Sequence, residues 1–296
     1  MMRRASEPTP FQDLNSVLAE LVHAVSTALG TDLLGAYLQG SFAVGGFDEH
    51  SDVDFIFVTE AELTRDAVSA LQMSHARVYD LDCEWAKHLE GSYFPKEVLR
   101  RLTGRGRPLW YLEHGSNALE LSEHCNTVVV RWILRECGVV LAGPPPFELV
   151  EPIPVSVLRE EILQTMRDWG AEILESPDRF RNRFYQSFIV LCYSKMLHDL
   201  RKGRIGSKRE GAEWAKTVLD ASWTDLIDRA WDGRPDPARS VVEPPDPVDF
   251  QRTLEFVEYV TGEARRTAND GGHLDRTEAR DLEQGGEARR PERDEA

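Results

Sequence analysis

The residues best suited to chemistry lie between Gly40 and Asp54. Gly40-Ser41 follows a short apolar run, Leu33 to Leu38, and Asp52-Val53-Asp54 comes after ten intervening residues. Glycine and serine in a tight turn carry little bulk, so backbone N–H groups and a hydroxyl can approach a phosphate closely. Two carboxylates two apart on a strand project to the same side. They repel each other unless a cation sits between them. Hard oxygen ligands in that arrangement suit Mg2+, which binds through one or two carboxylates together with substrate phosphates. A lone Asp-x-Asp is more often a solvated turn, but this one enters the apolar run Val53 to Val58.

Such a site needs a third acid on a neighbouring strand. Arg77 to Trp85 alternates, with Tyr79, Leu81, Cys83 and Trp85 on one face and Asp80, Asp82 and Glu84 on the other. That pattern predicts a period-two strand with an acidic face. Asp82 is its central acid, flanked by Asp80 and Glu84. It either completes the metal site or acts as general base on an acceptor hydroxyl. Ser51 either braces the strand entry or borders the site. His114 and His124 lie ten apart with no ordered partner spacing and read as structural or surface residues. Trp110, Trp132, Trp169 and Trp214 read as core.

Positioning these side chains requires a sheet and its supports. Phe11 to Leu29 carries Leu14, Leu18, Leu21, Val22 and Val25 at helical spacing and ends at Gly30. Leu33 to Leu38 and Val53 to Val58 read as strands, with Ser41 to Phe47 a turn or one short helix between them. Ala61 to Met73 reads as a helix, Trp110-Tyr111 as part of a short strand, and Ala118 to Cys137 as a helix. Ala142-Gly143-Pro144-Pro145-Pro146 is a break. From Val155 onward the pattern gives only helices, at about 155–174, 178–202, 207–221, 223–232 and 246–262. From about Thr267 the chain is polar and charged, with almost no apolar residue. The expected organisation is a flexible 1–10, a mixed α/β domain over 11–142, an α-helical domain over 143–266 and a disordered tail over 267–296. The fold class is α+β, a small mixed sheet followed by a helical bundle, with the site in the cleft between them.

Composition narrows the function classes. The chain has 296 residues, of which 41% are hydrophobic, so it can bury a core. Its net charge of −16 excludes a generic nucleic-acid binder, which needs a basic surface. No stretch approaches the roughly 20 apolar residues of a membrane span. Met1 to Pro10 has two Arg with no apolar run behind them, so no secretory leader is expected and the protein reads as cytoplasmic. The four cysteines are scattered without a CxxC pair, which argues against a disulfide scaffold and against a zinc site.

The motif Gly40-Ser41-Phe42-Ala43-Val44-Gly45-Gly46-Phe47 with Ser51-Asp52-Val53-Asp54-Phe55 resembles the nucleotide and metal motif of the polymerase-β-type nucleotidyltransferase superfamily. Leu141-Ala142-Gly143-Pro144, Pro152-Ile153-Pro154, Gly203 to Lys208 and Ala212-Glu213-Trp214-Ala215 carry the likeness towards bacterial aminoglycoside 3″-adenylyltransferases. It spans roughly 33–262. The resemblance implies that Asp52 and Asp54 hold Mg2+ and that Asp82 stands where the family has a Glu as general base. It also implies that Gly40, Ser41, Ser51, Lys195 and Lys208 bind the nucleotide, the two lysines at its phosphates. Lys195 lies on the apolar stripe of its helix, three after Cys192 and seven after Phe188, where a Lys needs a partner. Asp199, four residues on, offers one.

The implied reaction is Mg-dependent transfer of AMP from ATP to a hydroxyl of a small molecule, with an aminoglycoside or aminocyclitol antibiotic as one acceptor class. The stretch Ser176 to Tyr185 departs from the family. It carries Arg179, Arg181 and Arg183 with Asp178 its only acid, a charge that opposes a cationic drug. A protein acceptor in a toxin–antitoxin or regulatory role is the alternative with the same chemistry. A non-catalytic nucleotide-binding module is the alternative without it, although a binding protein needs no third acid.

Overall fold

The computed structural model describes residues 7–48, 51–234 and 241–285, with side chains to residue 268. Apolar stretches in the first half pair into one sheet: β1 (Leu33–Leu38), β2 (Val53–Thr59), β3 (Leu89–Pro95), β4 (Leu109–Leu112), β5 (Leu119–Ser122) and β6 (Val139–Ala142). Their order is β5-β4-β3-β2-β1-β6. β2 and β3 run parallel and the other neighbours antiparallel.

Alternation sorts the sheet residues between two faces. Val53, Phe55, Phe57 and Tyr93 pack under α1 (Gln12–Leu29) and α3 (Arg65–Tyr79), against Leu14, Leu18 and Leu21. Tyr37, Ile56, Val58 and Phe94 point the other way, against Val98 and Leu99 of α4 (Lys96–Arg100) and Leu134 of α5 (Val128–Cys137). Asp54 and Glu90 belong to this second face, beyond the end of its apolar patch. A five-residue helix, α2 (Gly40–Val44), links β1 to the loop before β2.

The second half is helical: α6 (Val155–Glu175), α7 (Arg183–Lys202), α8 (Lys208–Val218), α9 (Thr224–Asp232) and α10 (Pro247–Gly285). Local chemistry sets their ends. Asn182 and Ser207 accept the N–H groups of Tyr185 and Glu210 as N-caps. Gly203 closes α7 in the left-handed conformation, at φ 66°. Leu158, Ile162, Met166, Val190, Leu197, Phe256 and Val257 form the helical core. α5 joins the two halves, because its Val128 and Ile133 enter this core while Leu134 enters the sheet core.

Three sequence expectations need correction. Residues 77–85 are not a strand: α3 continues to Tyr79, burying Leu71, His75 and Val78 at helical spacing, and turns and a short 3-10 segment follow. The strand beside β2 is instead β3, whose Gly91, Ser92 and Pro95 dilute its apolar signal. Residues 118–137 are not one helix. The half-exposed edge strand β5 comes first, and Thr127 caps α5 by accepting the Val130 N–H. The backbone of α10 also continues past Thr267, where the sequence suggested a tail. The rest of that tail, 286–296, lies outside the described residues, as do residues 1–6 of the expected flexible lead. Within 7–10, Thr9 is buried and bonds Asn15 at 2.8 Å. No helix among the described residues is long and apolar enough to cross a membrane.

His75 is buried against Phe55 and shares a 2.7 Å hydrogen bond with Tyr93. Burial depresses its pKa from 6.5 to about 4. Its folded value lies below the unfolded one, so its contribution is complete above pH 6.5 and is lost as pH falls towards 4. Over that window it should remove roughly 3 kcal/mol. Urea titrations of wild type and His75→Gln between these pH values should show a shallower decline in the variant.

Candidate active site

Parallel pairing of β2 with β3 sets Asp54 opposite Glu90 in register. Both side chains leave the same face, and Asp52 lies one alternation step before Asp54. Burial, then the charges of Glu90 and Asp52, push Asp54 up to about 8, against the opposing pull of Lys208 and the Ser41 N–H. Glu90 is also raised, chiefly by burial, although the Tyr111 hydroxyl donates to its Oε1 at 2.6 Å and holds it down. Asp52 is half-exposed, with His114 Nε2 3.3 Å from its Oδ1.

The turn after β1 closes over Asp54. Gln39 N–H donates to the Asp54 carbonyl at 2.9 Å. Gly40 has φ 58°, and a Cβ there would overlap the Asp54 carboxylate. Only glycine serves both constraints. The Ser41 hydroxyl is buried and has no partner among the described residues. A buried donor is costly when unpaired, so this one fits a bound phosphate oxygen.

The cations come from the helical half. Lys195 on α7 donates to Asp199 Oδ2 at 2.5 Å. Asp199 is fully buried and shares its Oδ1 with His198 Nδ1 and with the Gly206 N–H, each at 2.9 Å. One carboxylate therefore fixes both Lys195 and the loop leading to Lys208. Lys208 opens α8 with its ammonium 4.5 Å from the centre of the Phe188 ring. Between the halves is a cavity of about 330 Å3, bordered by Gly40, Ser41, Asp52 and Asp54 on one side and Phe184, Phe188, Lys195 and Lys208 on the other. Asp48 reaches across it to pair with Arg234, which lies over Trp231. Gly46, at φ 88°, lets the loop pass against Ser207.

The structure thus gathers Gly40, Ser41, Ser51, Asp52, Asp54, Lys195 and Lys208 around one cavity. Ser51 also braces its loop, accepting the Asp48 N–H at 2.9 Å. It does not bring Asp82 there. Asp80, Asp82 and Glu84 are exposed in the segment between α3 and β3 and do not border the cavity. Glu90 holds the position expected of the third acid, because β3 rather than 77–85 pairs with β2. Leu89 and Tyr93 give only a faint alternation around Glu90, too diluted by Gly91 and Ser92 to mark it in the sequence. Phe184, Phe188, Asp48 and Arg234 had no motif to mark them.

His114 is not a plain surface residue, since it borders the cavity beside Asp52; His124 is exposed, 3.8 Å from Glu90. The four tryptophans pack against the cores. The arginines of 176–185 are matched by acids: Arg179 with Glu172, Arg181 with Asp178 and Arg183 with Glu243. None of the three borders the cavity.

The model of the aminoglycoside adenylyltransferase C-terminal domain matches residues 148–248. An aminoglycoside (3″)(9) adenylyltransferase of Shigella flexneri is 26% identical over 276 residues, covering 85% of this chain and 95% of that protein. A spectinomycin 9-adenylyltransferase of Campylobacter jejuni is 22% identical, covering 71% of this chain and 81% of its own length. Among solved structures, the spectinomycin adenyltransferase of Enterococcus faecialis with ATP and spectinomycin superposes with a TM-score of 0.62 at 14% identity, covering 84% of this chain and 98% of that one. It shares the α+β fold.

Truncating Asp199 strands a partly buried ammonium, a buried imidazole and a buried backbone N–H. Asp199→Ala should therefore cost about 3–5 kcal/mol in urea denaturation, whereas Asp82→Ala at its exposed turn should stay within about 0.5 kcal/mol.

Proposed function

We propose that this chain, which resembles the aminoglycoside and spectinomycin adenylyltransferases over most of its length, transfers AMP from ATP to a hydroxyl of an aminocyclitol or aminoglycoside antibiotic. The observation that carries the reading is that Asp52 and Asp54 face Lys195 and Lys208 across one cavity, with Glu90 in register beside Asp54. The crowded acids fit a divalent ion: they are hard oxygen donors, and burial with mutual repulsion raises both Asp54 and Glu90. Asp52 and Asp54 would hold Mg2+, with Glu90 beside them. Bound there, Mg2+ offsets triphosphate charge and makes the α-phosphorus more electrophilic.

The chain's own groups supply the rest. Ser41 and the glycine turn receive phosphate oxygens, and Lys195 and Lys208 meet the negative charge that grows on the leaving pyrophosphate. Glu90 accepts the proton of the acceptor hydroxyl. The acceptor oxygen then bonds to the α-phosphorus as the bond from that phosphorus to the bridging oxygen breaks. AMP is left on the antibiotic and pyrophosphate departs. Phe184 and Phe188 offer apolar surface for the acceptor beside these groups.

Pyrophosphate release from ATP with streptomycin or spectinomycin should fall at least about 1,000-fold in Asp54→Asn and in Glu90→Gln, the latter through kcat with KM for ATP nearly unchanged. Asp82→Asn should retain wild-type turnover. Full activity in Glu90→Gln would remove the assigned base, and absence of turnover with any such antibiotic would remove the acceptor class.

A further inference from the structure

Beside the three acids lies a second group of potential ligands. His88 Nδ1 and His114 Nε2 are 3.1 Å apart, and His114 Nε2 is 3.3 Å from Asp52 Oδ1. One donor atom from each of the three residues falls within 4.8 Å of the others. Zinc–nitrogen bonds of 2.0–2.1 Å in a tetrahedron place neighbouring ligand atoms about 3.3 Å apart. The two close spacings match that edge length.

The backbone builds this arrangement rather than leaving it to chance rotamers. The Val53 N–H donates to the His88 carbonyl at 2.8 Å, and the Gly115 N–H donates to the Lys87 carbonyl at 3.0 Å. These bonds tie the residue after Asp52 to His88, and the residue after His114 to the one before His88. Glu84 Oε1 lies 3.7 Å from His88 Nε2, the nitrogen pointing away from the trio. The histidine side chains are only 19% and 33% exposed, while Asp52 at 47% leaves room for water at a fourth position.

We propose that His88, His114 and Asp52 form a site for a transition ion of the Zn2+ class, separate in chemistry from the all-oxygen set but sharing Asp52 with it. Imidazole nitrogen suits zinc, cobalt and nickel, whereas Mg2+ prefers oxygen alone. A zinc ion there draws the Asp52 carboxylate away from its partners Asp54 and Glu90. It therefore inhibits transfer, a consequence that rests on the function proposed above; the binding itself does not.

The test uses the untagged full chain. Calorimetry with ZnCl2 should show one tight site in wild type, weakened at least about 10-fold in His88→Gln and in His114→Gln. CoCl2 should give wild type the visible absorption of a four-coordinate cobalt ion, lost in both histidine variants. In the pyrophosphate assay with Mg2+ and ATP, His88→Gln should need at least 10-fold more zinc for half-inhibition than wild type. Equal zinc affinity in wild type and both histidine variants would overturn the site, including the case where zinc settles on Glu90, His124 and Cys125. Zinc binding at these residues without inhibition would overturn the sharing of Asp52. Because binding is read without turnover, failure of the enzymatic reading and failure of the metal site are separable.

Discussion

Parallel pairing of β2 with β3 sets Asp54 beside Glu90, and the rest of the molecule answers the repulsion that results. Two half-buried like charges at neighbouring positions favour protonation or a cation. The surroundings relieve the strain only in part. A Tyr111 hydroxyl steadies Glu90, the Ser41 N–H and Lys208 pull on Asp54, and both acids still stand above their ordinary range. Acids left this unbalanced favour an added positive charge. The glycine at position 40 follows from the same constraint, since any side chain there would occupy the space of the Asp54 carboxylate.

The helical half solves the complementary problem of holding cations at the mouth of a cavity without collapsing onto the acids. Asp199 does so from within the core. It is buried, it takes three donors, and those donors control Lys195, His198 and the 203–208 loop together. Lys208 is held differently, over the face of Phe188. The Asp48–Arg234 pair adds a tie between the β1–β2 loop and the segment following α9. The cleft is therefore defined from both sides by charge pairs.

His88 and His114 show how the ends of neighbouring strands can place a second kind of chemistry beside the first. They come from the start of β3 and from the turn after β4, and backbone hydrogen bonds bring both to Asp52. Nitrogen and oxygen donors then meet at one carboxylate. The affinity of that carboxylate for hard or borderline ions becomes a matter of which neighbours it uses.

The sequence by itself determined the elements whose signals are local. The apolar runs at 33–38 and 53–58 give strands, and the 3.6-residue spacing of Leu14, Leu18 and Leu21 gives α1. The Gly40-Ser41 turn and the Asp52, Asp54 pair are legible because glycine freedom and strand alternation act within a few residues. Lys195 was marked by its place on an apolar stripe, with Asp199 one turn away. The third acid was not legible, because it depends on which segment pairs with β2. Alternation at 77–85 imitated a strand, while tertiary packing kept Leu71, His75 and Val78 helical and gave the place to β3. Likewise the approach of Phe184 and Phe188 to the acids at 52 and 54, the tie from Asp48 to Arg234 and the meeting of His88 with His114 join residues far apart in the chain. Long-range pairing carries no local periodicity, so only the folded structure decided them.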